Sequence, residues 1–105
     1  MTDKRIVLST AGSTEEAHRI ARYLVENHLA ACVNIVPQIE SIYRWQGKVE
    51  SSSEWLLLIK TTSGNVPAVE DAIRELHSYD LAECVAIAID GGSSEYLDWI
   101  GESVQ

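Results

Sequence analysis

Among the residue types able to do chemistry, His77 stands in the most suggestive place. It follows Val66, Val69, Ile73 and Leu76 at helical spacing, so it marks an element end, and imidazole suits copper and zinc. The position has an equally plain structural use: a histidine in the last helical turn is favoured by the helix dipole and can bond free carbonyls. One ligand does not make a metal cage, so the structural use is preferred for any intrinsic site. His18 and His28 lie on or beside an earlier helical pattern with no Cys or His at i+4, and read as solvated. Cys32, between Ala31 and Val33, reads as a small core hydrophobe. With Cys84 it forms a pair too few for a disulfide scaffold and suited to a reducing compartment.

Lys60 directly follows the apolar run from Trp55 to Ile59, so its ammonium calls for a carboxylate partner, with Glu54 and Glu83 as candidates. Such a cluster could bind an anion or small effector, or serve as an ion pair. Tyr43, Trp45 and Trp55 are large aromatics that could floor a ligand cleft, but they read first as interface anchors, where Trp and Tyr concentrate. An acid–base trio of His77, Tyr79 and Glu83 is the least favoured reading. No Ser/His/Asp order, HExxH or CxxC pattern occurs, and Asp90-Gly91-Gly92-Ser93 reads as a turn with a cap. Binding rather than catalysis is predicted.

The elements that position these residues follow from hydrophobic period. Ile6 to Thr10 reads as a strand. Ser13 and Glu16 have capping-box spacing before Ala17, Ile20, Ala21, Leu24 and Val25, an amphipathic helix ending near Asn27-His28. A long hairpin follows, turning at Gln46-Gly47. Pro37 should bend its first arm, and Ser51-Ser52-Ser53 should weaken the return arm opposite that bend. Asn65 caps a second helix with Pro67 in its first turn, Cys84 to Ile89 forms the last strand, and Ser93 or Ser94 caps a terminal helix with Tyr96, Leu97 and Ile100. The order β-α-β-β-α-β is the α+β ferredoxin-like arrangement, with the whole chain, 1–105, as one domain. That topology puts the strands of Cys32 and Cys84 at opposite sheet edges, so no bridge between them is expected.

Composition narrows the partners. The formal charge of −8 repels phosphate backbones, so nucleic acid is not expected. No apolar run approaches the ~20 residues of a membrane span, and no signal-peptide pattern precedes the first strand, which predicts a cytoplasmic chain. Each hairpin arm of about 15 residues would run ~50 Å, whereas helices of similar residue count cover ~22 Å. Ile39, Ile42, Tyr43, Trp45 and Val49 on the uncovered part therefore predict a symmetric self-association surface.

Four segments carry a family resemblance: Leu29-Ala30-Ala31-Cys32-Val33-Asn34-Ile35, Ser41 to Lys48 with Tyr43-Arg44-Trp45 inside it, Ile59-Lys60-Thr61, and Tyr96-Leu97-Asp98-Trp99-Ile100. Together they resemble the CutA family of small divalent-cation tolerance proteins, in register from Val7 to Ile100. The resemblance implies a compact homotrimer whose hairpins pair with neighbouring subunits, and a role in tolerance of divalent metals, copper especially. No obligatory cofactor is implied; a divalent metal is the one candidate. A looser likeness to PII-type signal transducers implies the alternative, a signalling or scaffold trimer holding a small anionic effector or partner peptide in inter-subunit clefts, with Lys60, Glu54, Glu83, Tyr79 and Trp45 as lining residues. Ser9 stands where copper-binding members carry a cysteine, and Leu76-His77-Ser78-Tyr79 replaces a paired-histidine junction, so His77 alone remains of that ligand set. Ala82-Glu83 retains just the carboxylate of an expected Pro-Glu.

Overall fold

Alternation along two strands builds the core. A computed structural model describes residues 2–105. In β1 (Lys4–Ala11) the inward residues Val7, Ser9 and Ala11 are buried, and in β3 (Lys48–Thr62) they are Leu57, Ile59 and Thr61. Against them α1 (Thr14–Glu26) lays Ala17, Ile20, Ala21 and Leu24, and α2 (Val66–Leu76) lays Val69, Ala72 and Ile73. The remaining elements are β2 (Cys32–Trp45), β4 (Val85–Ala88) and α3 (Ser94–Ser103). The strands form one antiparallel sheet in the order β2-β3-β1-β4, so Cys32 and the last strand do lie at opposite edges, and both cysteines are free. A smaller cluster joins Ile100 and Val104 to Ala31.

Local chemistry sets the boundaries. Ser13 accepts the Glu16 backbone N–H at 3.1 Å, which starts α1, but the Glu16 carboxylate does not reach back to Ser13. It is drawn to two other backbone donors, described below, so only half of the expected capping box forms. Asn65 occupies the N-cap position of α2 without a side-chain cap. A 3-10 turn, Ser63–Asn65, already gives it near-helical backbone angles, and its side chain bonds Thr62 instead.

The hairpin joining β2 and β3 turns on two residues. Gln46 and Gly47 both have positive φ, 51° and 82°, as a type I′ turn requires for its twist to match the strands. Between Val36 and Ile39 the register slips by one residue, with Gln38 at φ 53°. Pro37, which has no N–H to give the ladder, thus sits in a bulge. The serine run is not opposite that bulge: Ser51, Ser52 and Ser53 pair with Ile42, Ser41 and Glu40, farther out, and Trp55 faces the bulge. The bend and strand twist hold the longest dimension to 44 Å, below the ~50 Å of a straight arm.

Beyond the bulge most apolar residues of the hairpin are exposed in the single subunit. Ile42 and Val49 are 70% and 65% exposed, and Tyr43 and Trp45 are also open, while Ile39 is half-buried.

One core position is chemically mismatched. Ser9 Oγ is fully buried and has no hydrogen-bond partner among the described residues, so it bears an uncompensated desolvation cost. Ser9→Ala removes the orphan without opening a void larger than one oxygen. It should raise stability by about 1 kcal/mol, read as a higher denaturant midpoint at unchanged m-value.

Candidate functional site

The segment between α2 and β4 is pinned by His77, whose ring is fully buried (0% exposed). Its backbone N–H closes the helix on Ile73 O at 2.9 Å. The Tyr79 backbone N–H donates to Nδ1 at 3.1 Å, so that nitrogen is an acceptor, and Nε2–H donates to the Thr10 carbonyl at 2.5 Å. Both ring nitrogens are committed to backbone groups. In this position the ring has no free lone pair to offer a metal unless it leaves the place that closes α2.

Glu16 secures the same corner from the other side. Its buried carboxylate accepts the Gly12 N–H at 3.3 Å through Oε1 and the Ser78 N–H at 2.8 Å through Oε2. Arg19 and His77 approach it at 3.5 and 3.9 Å. Burial by itself would raise its pKa, but the Ser78 and Gly12 bonds outweigh that and hold the carboxyl below its ordinary range. Sequence reading took Glu16 only as a cap; its partner Ser78 lies 62 residues away, and no local pattern announces such a bond.

Tyr79 carries this corner into a cleft. Its ring lies 4.5 Å from His77, and its hydroxyl donates to Glu54 Oε2 at 2.8 Å. Burial, and then the Glu54 carboxylate, push its pKa well above the ordinary phenol value, which keeps the proton on Tyr79 as the donor. The ring passes so close to Gly12 that an added Cβ would stand 2.9 Å from the Tyr79 oxygen, so any side chain there would push the tyrosine aside.

The cleft beside Tyr79 encloses roughly 670 Å³. Tyr43, Arg44 and Trp45 of the hairpin form one wall, Asp80, Leu81 and Glu83 of the loop another, and Glu54 lies between them. Four of the five residues expected there, Glu54, Glu83, Tyr79 and Trp45, are thus brought together. Lys60 is not. It stands six residues along the same strand from Glu54, about 20 Å at the strand rise, and its ammonium bonds Asn34 Oδ1 rather than a carboxylate. Arg44 and Asp80 escaped sequence reading because they come from the hairpin and from the loop after α2, which only the fold brings together.

Glu16 gives the corner a pH signature. A carboxyl depressed in the folded state contributes stability that is present above its unfolded pKa and lost as pH falls through its folded value. Wild type should therefore lose stability on acidification from the ordinary glutamate range downward. Glu16→Gln should start less stable at neutral pH and show a flatter acid limb in denaturation followed against pH.

Comparison with known proteins bears on the whole chain. Residues 5–103 match the family described as CutA1 divalent ion tolerance protein. The divalent-cation tolerance protein CutA of Thermus thermophilus is 50% identical over 95% of this chain and 97% of its own length. Human protein CutA is 48% identical over 87% of this chain, which spans about half of that longer protein (51%). The solved structure of the divalent cation tolerance protein from Thermus thermophilus superposes with a TM-score of 0.95 at 49% identity, covering 97% of this chain and 99% of the other. Sequence and architecture agree from β1 to α3: this chain belongs to the CutA1 divalent ion tolerance family.

Proposed function

We propose that this chain serves divalent-cation tolerance by binding rather than by catalysis, as a cytoplasmic homotrimer assembled through its hairpin. The observation that carries the assembly is the bare outer half of that hairpin. Ile42, Tyr43, Trp45 and Val49 are exposed in the single subunit, on a hairpin whose outer strand β2 has one unpaired edge. An apolar strand pair of this kind attracts another chain, and rotational closure limits the attraction to a ring. The number three comes from the family resemblance. Copper is the ion that resemblance favours, and His77 would have to leave its backbone partners at Thr10 and Tyr79 to hold it.

A second reading is favoured by the cleft: a PII-like signalling trimer that holds a small effector or partner peptide beside Tyr79 and Glu54. Both readings require the same assembly, and the neighbouring subunit would complete the open side of the cleft.

Sedimentation equilibrium at micromolar concentration should return a trimer, and a well-folded monomer would overturn the assembly. Trp45→Ala should weaken assembly and stability together, by roughly 3 kcal/mol per site where the neighbour buries the rest of the indole. Calorimetric titration with copper(II) and zinc(II) should give weak binding to the acidic surface, identical in His77→Ala. A loss confined to that variant would mean the imidazole does leave its backbone partners, and silence in both would remove direct metal binding from the function.

A further inference from the structure

The cleft carries an electrostatic imbalance that the removal of Lys60 makes plain. Three carboxylates line it, Glu54, Asp80 and Glu83, against the single guanidinium of Arg44, a formal excess of two negative charges. Glu54 is only 7% exposed, and of its two oxygens Oε2 accepts the Tyr79 hydroxyl while Oε1 has no donor among the described residues. No lysine, arginine or histidine among them forms an ion pair with it. A carboxylate so far removed from water normally has a charged or strongly donating partner. Glu54 lines the same space as Tyr43, Trp45 and Leu81.

We propose that this cleft binds an organic dication of the α,ω-diammonium type. The inference rests on the reading of the cleft as a ligand site and reverses the charge expected of its effector. One ammonium donates to Glu54 Oε1, where a charge-assisted bond replaces the missing partner. The methylene chain runs along Leu81, and those parts of the Tyr43 and Trp45 rings that line the cleft rather than the subunit interface attract the cation further. The second ammonium meets Asp80 and Glu83 at the loop wall. An anion would face the same carboxylates with only Arg44 to hold it. A bare metal ion fits less well, because no three His, Cys, Asp or Glu side chains among the described residues converge to hold one, and the space far exceeds an ion.

The test is isothermal titration of the assembled full chain with 1,4-diaminobutane at physiological ionic strength, beside succinate and magnesium chloride. Saturable binding of the diamine is expected. Glu54→Gln, which keeps an acceptor for Tyr79, should weaken it about tenfold, the loss of one charge-assisted hydrogen bond. Glu83→Gln, on the exposed loop, should weaken it by a smaller factor without touching the core, which keeps the proposal testable if Glu54→Gln fails to assemble. Diamine binding unchanged in both variants, or abolished by equimolar magnesium, would overturn the assignment. Succinate binding without diamine binding would overturn it while leaving the cleft a ligand site. Failure of every probe, together with silence in a thermal-shift screen of uncharged metabolites, would remove both.

Discussion

One buried carboxylate fixes the geometry on which the rest of the site depends. Glu16 takes a backbone N–H from Gly12 at the β1–α1 corner and another from Ser78 beyond α2. Bonds of this kind to a charged acceptor contribute about 1.5–3 kcal/mol each, more than an ordinary neutral pair, and their directions leave the loop little freedom. With Ser78 held, His77 turns its ring inward to Thr10 and Tyr79 is aimed at Glu54. The order of dependence runs from Glu16 to Ser78, to the His77–Tyr79 pair, and from there to the wall of the cleft.

The corner also explains why polar groups concentrate in a protein with a small core. A 105-residue chain has little apolar area to spare, and its two clusters take in the inner half of the hairpin (Leu57 and Ile59, with Val33 and Ile35 against them) but leave the half beyond the bulge outside. Stability inside the subunit comes from the α1–α2–sheet sandwich, whereas the hairpin beyond the bulge contributes apolar surface directed outward. The bulge at Pro37 and Gln38 divides the two roles, since the register changes there from strands under helices to strands without cover. Tyr43 to Trp45, beyond the bulge, line the cleft together with the loop after α2.

Charge follows a similar division. The chain as a whole is strongly acidic, and the cleft concentrates that excess around a carboxylate that water hardly reaches. A charge exposed on the surface is screened and inexpensive, but one held beside a phenol in a low-dielectric recess interacts strongly with whatever enters. Membership of a cation-tolerance family and an anionic recess are consistent in sign, although the recess has the size and lining of a small-molecule site rather than an ion cage.

Sequence by itself determined the element order, the topology and the presence of an overlong hairpin, because those depend on local period, caps and turn residues: Gln46-Gly47, Pro37, Ser13 and the spacing from Ala17 to Leu24 state them directly. It also carried the family, and it identified four of the residues that meet at the cleft. Tertiary structure alone decided which groups those residues bond. His77 has the right chemistry for a metal, yet packing commits both its nitrogens to backbone groups at Thr10 and Tyr79. Lys60 looks like a partner for Glu54, but strand geometry separates them by about 20 Å and gives it Asn34 instead. Glu16 has capping-box spacing, but a donor 62 residues away competes for its carboxylate and wins. Spacing in sequence fixes which residues share a face of an element. Which donor satisfies a buried charge is settled between elements, by distances that only the folded chain brings within hydrogen-bonding reach.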